Sequence, residues 1–527
     1  MIWLGIHFYR ETQYEFIRAQ RDHASDVDVL FSTRAYQKTG FWKAGGRVYI
    51  EGTTAKPSYK GYPPLPNWGR YLLSQIGIRG IIPARRAVAV LAMLGLCLLG
   101  WAVALLLNWK YALGTMTYVA LFPFYVWGGA NLHHLPYGFF LLPFFLLALI
   151  GWERKPESFG RSILLVGASF LLSLSTYEYV IYSLIVGGGY LYLKRHSWQA
   201  VWMALWRIGL GTALALMLWY GINILEKGWG AFWDDLVYRF TRRASGGGDS
   251  TFDWRHGLLR YFYRFEKDLG PGTLATLALF LAWAWHDRRR RRLAFVDKLI
   301  ILFWLASVSW TLAMFNHAMH HSYFVVPRTY YVAAALTVVR IVFRLAEAWR
   351  QGHGFRSAAA GLGLVLIIYF QLDRGMELWA LHREPLVPPR ARQLIKAHAS
   401  TPSLVLFHND APKEEIKVWK YFLSQASDTV IEARLLQSPF SFDDSLRTYC
   451  PHVALLIVKE RNSLFYQLYE PDRGGILSRL MRRYATKPPK PPAPAVQALM
   501  RRLRLCPRYE DARYVLIYPC NCRADAH

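Results

Sequence analysis

Long apolar blocks alternate with short polar connections between residues 86 and 372. A helix needs about 20 predominantly apolar residues to cross the hydrocarbon core of a bilayer. Blocks of about this length, repeated along the chain, are typical of membrane-spanning helices rather than of helices in a soluble domain. The predicted spans are 86–108, 111–128, 135–152, 162–176, 177–193, 201–225, 270–286, 295–315, 323–343 and 356–372.

The boundary between the fourth and fifth spans decides the topology. Residues 162–193 form one long apolar stretch that is interrupted by Tyr177, Glu178 and Tyr179. We predict two spans that meet at Glu178. A single long span would invert the orientation of everything that follows, and it would place a carboxylate in the middle of the membrane, where ionisable groups are costly and usually functional.

The basic residues favour one orientation. The formal net charge is +28, and cytoplasmic loops of membrane proteins carry an excess of Lys and Arg. The connections that this rule places inside are 109–110, 153–161, 194–200, 287–294 and 344–355. The basic residues in these connections include Arg154, Lys155, Arg161, Lys194, Arg195, Arg288–Arg292, Arg344 and Arg350, and Arg356 directly follows the last connection. The charge therefore indicates membrane topology, and no nucleic-acid partner is expected, because the basic residues lie between apolar blocks and not along a folded surface.

This orientation places both ends of the chain outside the cytoplasm. Residues 1–85 are mostly polar and are predicted to form an extracytoplasmic loop region, followed by a transmembrane helical domain over 86–372. Residues 1–8 are too short to cross a membrane. Either a first helix precedes Met1, which we favour, or the helix that follows translocates the N-terminus.

Residues 373–527 have the composition of a soluble domain. Apolar runs at 403–407, 429–435, 453–459 and 514–518 predict strands, 413–426 predicts an amphipathic helix, and 487–494 is a Pro/Lys linker. We expect a small extracytoplasmic α/β domain. Its four cysteines, Cys450, Cys506, Cys520 and Cys522, allow three disulfide pairings, between which the sequence does not choose.

A polar, aromatic stretch before the first span carries a family resemblance. It contains Asp26-Val27-Asp28, Arg34-Ala35-Tyr36 and a Pro-Pro turn within Gly61–Trp68. The stretch resembles the first extracytoplasmic loop of GT-C-type membrane glycosyltransferases, the group of the protein mannosyltransferases and aminoarabinose transferases. With the span series and a late His/Arg segment, the resemblance covers about residues 20–345. It implies a GT-C-like fold of about ten or eleven transmembrane helices in a membrane such as the bacterial inner membrane.

The resemblance also implies a reaction. The expected enzyme is an inverting glycosyltransferase that moves a sugar from a polyprenyl-phosphate donor in the bilayer to an extracytoplasmic glycan, lipid or protein. The motif Asp-x-x-x-x-Phe-Ser-Thr-Arg-Ala-Tyr begins at Asp26. A carboxylate here would accept the proton that the attacking hydroxyl loses, so Asp26 is the predicted base and Asp28 its substitute. In an extended chain these two side chains would share a face, and in a helix they would not.

Several further residues are expected to bind the donor phosphate or the sugar. Arg34 can hold phosphate with paired hydrogen bonds. Tyr62 lies in the Pro-Pro turn, whose alternative role is simply to begin the following helix. His133 and His134, at an outside end, suit phosphate or sugar contact, a metal, or simple packing. The remaining candidates are Glu178, His317, His320, His321, Tyr323 and Arg328.

Arg328 is the strongest of the phosphate candidates. It lies just inside an apolar block, where an arginine is costly unless an anion pairs with it. His317 and His321 have the i, i+4 spacing of one helix face, but the glutamate of an HExxH zinc motif is absent. No metal site is predicted, although a divalent ion stays open as a cofactor.

Two other functional classes are compatible with a polytopic chain. A transporter or flippase of lipid-linked glycans would place charges at the membrane midplane, whereas here they cluster at outside ends. A non-catalytic scaffold of an envelope-glycan complex would leave Asp26 and Arg328 far apart. The run Gly246–Gly248, flanked by Arg242, Arg243 and Asp249, has the composition of a mobile loop tip or a gating loop.

Overall fold

The computed structural model describes the following residues: 2–13, 23–47, 63–245, 254–270, 272–289, 293–320, 322–351, 361, 405–407, 421, 433–435, 455–458, 505–510 and 514–519. Helices dominate this part of the chain. They are α1 (Ile2–Glu11), α2 (His23–Thr39), α3 (Leu65–Gln75), α4 (Ile81–Leu106), α5 (Trp109–Leu121), α6 (Pro123–Gly128), α7 (His134–Arg154), α8 (Phe159–Ser175), α9 (Glu178–Arg195), α10 (Trp198–Lys227), α11 (Trp229–Ser245), α12 (Trp254–Asp268), α13 (Thr273–Arg289), α14 (Phe295–Ala313), α15 (Phe315–His320) and α16 (Ser322–Arg350).

Each predicted span from 86 to 343 coincides with helix, and the tenth, 356–372, lies outside the described residues. By length and composition, α4, α7, α10 and α14 can each cross a membrane, and α8 is a shorter apolar helix. The chain is therefore an integral, multi-pass membrane protein. The span at 111–128 was predicted as one helix and is in fact two, α5 and α6. Proline at 123 has no N–H to continue α5, but it fits the first turn of a new helix.

The predicted break between the fourth and fifth spans is confirmed. Helix α8 ends at Ser175, and α9 begins at Glu178 after an extended Thr176. Ser175 and Thr176 are buried, so the junction lies within the protein and not at its rim. The end of α8 and the start of α9, with the polar groups of those ends, therefore lie at one point.

Two glycines bring pairs of helices into backbone contact. A Cβ at Gly95 of α4 would overlap the carbonyl oxygen of Phe139 in α7, and a Cβ at Gly211 of α10 would overlap that of Val166 in α8. Small residues at helix interfaces let the backbones approach closely in membranes, where hydrophobic burial between helices contributes little. These contacts join α4 to α7 and α8 to α10.

The N-terminal region differs from the predicted loop, because its described part contains α1, α2 and α3. Asp26 lies in the first turn of α2, where a carboxylate is favourable, and the chain leaves that helix through Gly40, which has a φ of +83°. Because α2 is a helix, Asp26 and Asp28 do not share a face. Their side chains point about 160° apart. The Pro-Pro turn begins α3, a short helix that precedes the membrane span α4.

All four strands predicted near the C-terminus are present, together with a fifth. They are β1 (Val405–Phe407), β2 (Ala433–Leu435), β3 (Leu455–Val458), β4 (Leu505–Glu510) and β5 (Tyr514–Pro519). β1 and β2 are parallel, and β5 lies between β3 and β4 and is antiparallel to both. β4 was not predicted, because it contains Pro507 and an irregular register between Pro507 and Tyr509. The predicted helix 413–426, apart from the buried and helical Tyr421, and the 487–494 linker lie outside the described residues.

Candidate active site

Asp26 is fully buried and joins α2 to the loop before α7. Its Oδ1 accepts hydrogen bonds from the backbone N–H of Leu132 at 2.8 Å and of His133 at 3.2 Å. The Nδ1 of His133 lies 2.7 Å from the same oxygen. Three N–H groups from one short loop thus converge on a single carboxylate oxygen, and they fix the position of Asp26 relative to the α7 end.

The two histidines of this loop have defined ring orientations. His133 is buried and directs Nδ1 to Asp26. His134, the first residue of α7, is half-buried and has its Nδ1 2.6 Å from the carbonyl oxygen of Ser175. Because a carbonyl oxygen only accepts, Nδ1 of His134 carries the proton. In the neutral ring Nε2 therefore holds the lone pair and can accept a hydrogen bond from a hydroxyl.

Arg328 and Glu178 form a buried ion pair on the other side of the histidines. Nη1 of Arg328 donates to Oε1 of Glu178 at 3.2 Å and to the Thr176 hydroxyl at 3.1 Å. The Tyr179 hydroxyl donates to the backbone carbonyl of Arg328 at 3.1 Å. The start of α9 thereby holds both the side chain and the main chain of α16 at this position.

These contacts form one continuous polar band, which we define as Asp26, His133, His134, Ser175, Thr176, Glu178 and Arg328. His134 lies edge-on to His133, with ring centroids 6.2 Å apart, and within electrostatic range of Arg328. The band follows the ends of α7, α8 and α9 and the second turn of α16, all at one end of the helix bundle. Asp26 and Arg328 are therefore at the same end, as an active site requires.

Other predicted site residues lie apart from the band or cannot be placed. Asp28 is mostly buried on a different side of α2, and Arg34 is half-buried about two turns further along that helix. His317 of α15 is buried with its ring edge-on to Trp310 at 6.0 Å. Tyr62 and His321, and the side chains of His320 and Tyr323, lie outside the described residues, as do Gly246–Asp249 and Cys450, Cys520 and Cys522.

Sequence reasoning missed Arg85. This arginine is fully buried in the first turns of α4, and its Nε donates to the Ala130 carbonyl at 3.1 Å, in the loop that holds Asp26. In the sequence it stands beside Arg86 at the edge of an apolar block, where a flanking surface charge is the ordinary interpretation. Thr176 was missed as well, since a threonine between two apolar helices carries no signal of its own.

No group of three or more His, Cys, Asp or Glu side chains among the described residues is arranged to hold a metal ion. Within the band, Asp26 and His133 bind each other, and the other carboxylate, Glu178, is paired with Arg328.

No family model and no curated protein matches the sequence, but solved structures do. ArnT from Cupriavidus metallidurans bound to undecaprenyl phosphate is 11% identical, with a TM-score of 0.56 over 99% of this chain and 97% of that one. Apo ArnT gives 12% identity and a TM-score of 0.49 over 98% and 96%. The Archaeoglobus fulgidus oligosaccharyltransferase in complex with Zn and sulfate is 13% identical, with a TM-score of 0.41 over 83% of this chain and 59% of that one. The chain thus has the fold of ArnT, which confirms the predicted resemblance to GT-C membrane glycosyltransferases at the level of the fold.

Proposed function

We propose that this protein is an inverting membrane glycosyltransferase that takes a sugar from a polyprenyl-phosphate donor and transfers it to an extracytoplasmic acceptor. The observation that carries the proposal is the polar band. It places a buried carboxylate, Asp26, and a buried arginine, Arg328, at one end of the helix bundle with two histidines between them. Buried ionisable groups at the end of a membrane bundle are costly, and they typically mark a functional site.

In the proposed reaction the acceptor hydroxyl attacks the anomeric carbon of the donor sugar. A bond forms between the acceptor oxygen and that carbon, and the bond from the carbon to the phosphate oxygen breaks on the opposite face. Its electron pair leaves with the polyprenyl phosphate. The hydroxyl proton passes to a carboxylate, a step that typically contributes a factor of about 10² to 10⁴.

Asp26 is the proposed proton acceptor, and Asp28 is its substitute. Oδ1 of Asp26 accepts from the N–H groups of Leu132 and His133. The three contacts at Oδ1 would hold the carboxylate in place while the proton transfers. Such pre-organisation lowers the barrier, because the group does not have to be oriented during the reaction.

The opposite end of the polar band is proposed for the leaving phosphate. Arg328 supplies a positive charge held in place by Glu178 and Thr176, and charge-assisted hydrogen bonds from arginine suit a phosphate that becomes more negative as it leaves. The structure of ArnT with bound undecaprenyl phosphate supports the choice of a polyprenyl carrier. Arg34, Tyr62, His317, His320, His321 and Tyr323 stay proposed substrate contacts.

His134 has a role distinct from that of Arg328 in this proposal. Its Nδ1 donates to Ser175, so the neutral ring offers an acceptor nitrogen. An acceptor nitrogen suits a hydroxyl and does not suit a phosphate oxygen, which also accepts. Of the functions considered for His134, contact with a sugar or acceptor hydroxyl is therefore the one that we propose.

The test is transfer by the purified, reconstituted protein. A radiolabelled polyprenyl-phosphate sugar is offered with candidate glycan, lipid or protein acceptors, with and without a chelator to test for a divalent metal. Formation of labelled product is expected, and Asp26→Asn should abolish it. Movement of the labelled lipid across the vesicle membrane without any product would favour a flippase, and neither activity would favour a scaffold.

A further inference from the structure

Helix α11 follows the membrane span α10 directly, after a turn at Gly228, which has a φ of +78°. At about 100° per residue, its side chains divide into three faces. The first face packs on the protein and contains Phe232, Asp235, Leu236 and Arg239. Phe232 is only 2% exposed, and its ring lies 5.3 Å from that of Tyr220 in α10.

Ion pairs fix the rotation of α11 about its own axis. Asp235 accepts from Lys227, at the end of α10, at 3.1 Å and from Arg239 at 2.7 Å. Because Lys227 belongs to the preceding helix, the pair ties the first face to α10. The other two faces must then point away from it.

The second face is apolar and exposed. Trp229, Trp233, Val237 and Phe240 fall within about 80° of one another, and they are 65%, 51%, 46% and 56% exposed. The two indole rings stack, with planes 12° apart and centroids 6.2 Å apart. The third face, with Asp234, Tyr238 and Thr241, is exposed and polar. We call the second face the apolar stripe.

A lipid surface is the covering that fits the apolar stripe. Helix α10 carries exposed apolar side chains up to its last turn, with Leu218 at 42% and Leu225 at 87% exposure, and in a membrane span such residues face lipid. The stripe begins two residues after that span ends. Tryptophan and other amphipathic rings collect at this level, where hydrocarbon meets headgroups. A helix with one apolar and one polar exposed face is typical of elements that lie in the membrane plane.

Helix α10 contacts a residue next to the polar band in its second half, eight residues before the helix ends at Lys227. The indole N–H of Trp219 donates to the Tyr177 hydroxyl at 3.0 Å, and Tyr177 lies between Thr176 and Glu178 of the band. We propose that α11 lies in the membrane interface on the side of the site, with its apolar stripe inserted among the lipids, so that it fixes the depth of the polar band relative to the headgroups.

The proposal can be tested by spin labelling of the full chain. Val237→Cys on the apolar stripe and Tyr238→Cys on the polar face are made in a cysteine-free background and reconstituted in phosphatidylcholine/phosphatidylglycerol vesicles. Collisions of the nitroxide with oxygen, which partitions into lipid, and with a water-soluble nickel chelate are then compared. The label at position 237 should collide more often with oxygen, and the label at the adjacent position 238 should collide more often with the nickel chelate.

Two outcomes would overturn the proposal. If position 237 is as accessible to nickel as position 238, the stripe faces water. If neither reagent reaches position 237, protein covers the stripe, and dipolar broadening between labels would identify a second copy of this chain. Trp233→Cys, one turn earlier on the stripe, should repeat the Val237 result. Equal thermal stability of the labelled and unlabelled proteins ensures that an altered fold is not being measured.

Discussion

Arg328 donates to Glu178 across 3.2 Å in a setting where the side chains are 2% and 5% exposed. The sequence allowed two anions for this arginine, a carboxylate of the protein or the phosphate of the donor, and the carboxylate is the partner in the structure. This pair joins α16 to the start of α9. The phosphate of a bound donor would have to join the pair or replace Glu178.

Removing Arg328 should lower the stability of the protein. Arg328→Ala leaves the Glu178 carboxylate buried without its partner, and such a change typically costs about 3 to 5 kcal/mol. Arg328→Lys keeps the charge but loses the planar fork, so it should retain more stability and raise the donor KM more than the acceptor KM. Thermal unfolding without donor, followed by steady-state kinetics, measures both effects.

A matched control for Arg328 lies at the other end of the bundle. Arg340 binds Asp297 through Nε at 2.6 Å and through Nη2 at 2.8 Å. Arg340→Lys should lower stability and leave the donor KM unchanged. If Arg328→Ala instead unfolds at the wild-type temperature and only loses donor binding, the Glu178 pair does not stabilise the fold and the phosphate is the main partner.

Asp26→Asn should abolish transfer in a protein that still folds and inserts. The amide oxygen can still accept from the N–H groups of Leu132 and His133, whereas the basicity is lost. We expect a fall in kcat by a factor of about 10² to 10⁴. Asp28→Asn is the comparison variant, since Asp28 lies on another side of α2. If only Asp28→Asn is inactive, the base lies two residues further on; if both variants turn over normally, the proposed carboxylate base is wrong.

The C-terminal domain should be extracytoplasmic. In a variant that retains only Cys450 or only Cys506, a membrane-impermeant maleimide should label intact cells. Lys155→Cys, exposed at the opposite end of α7, is the control that should react only after the membrane is disrupted. The reverse pattern would place residues 373–527 in the cytoplasm and would contradict the orientation inferred from the basic connections.

His7 should make the protein less stable in mild acid. Burial, and then the nearby charge of Arg10, lower the pKa of His7 from 6.5 to about 4. The unfolded chain therefore binds this proton more readily than the folded one, and stability that is complete above about pH 6.5 falls as the pH drops towards 4. The loss is at most about 3 kcal/mol.

Unfolding temperatures of wild type and His7→Gln, measured from pH 7 to pH 4.5, check this expectation. The wild type should lose more stability over the interval than the variant. Parallel curves would mean that other groups cause the acid sensitivity and that His7 is not held in its neutral form.

The sequence predicted the helices better than the contacts between them. Apolar blocks and basic connections located helix at each span from 86 to 343, including the break at Glu178, because burial in lipid and charge asymmetry are properties of short segments. Helices α2 and α11 were not predicted, since their apolar residues are interspersed with charges. Their apolar faces are defined only by the neighbouring helices or lipids against which they pack.

The candidate site could be predicted only as a set of residues. Asp26, His133, Glu178 and Arg328 were selected by type and position, and the structure brings all four into the polar band. The contacts between them could not be predicted from the sequence, because Asp26 meets His133 only when α2 is folded against the loop before α7. Arg85 was overlooked for a related reason. The sequence does not show whether an arginine at the edge of an apolar block is buried or exposed. The hydrogen bond from Arg85 to the Ala130 carbonyl appears only in the folded structure.

The backbone contacts at Gly95 and Gly211 bear on how this protein can vary among relatives. Any side chain at either position would force a pair of helices apart. Lipid-facing positions such as Val90 and Leu94, in contrast, are 55% and 51% exposed and need only remain apolar. Substitution during evolution should therefore be frequent on the rim of α4 and nearly forbidden on its inner glycine, so that relatives with little overall identity would still share these two residues.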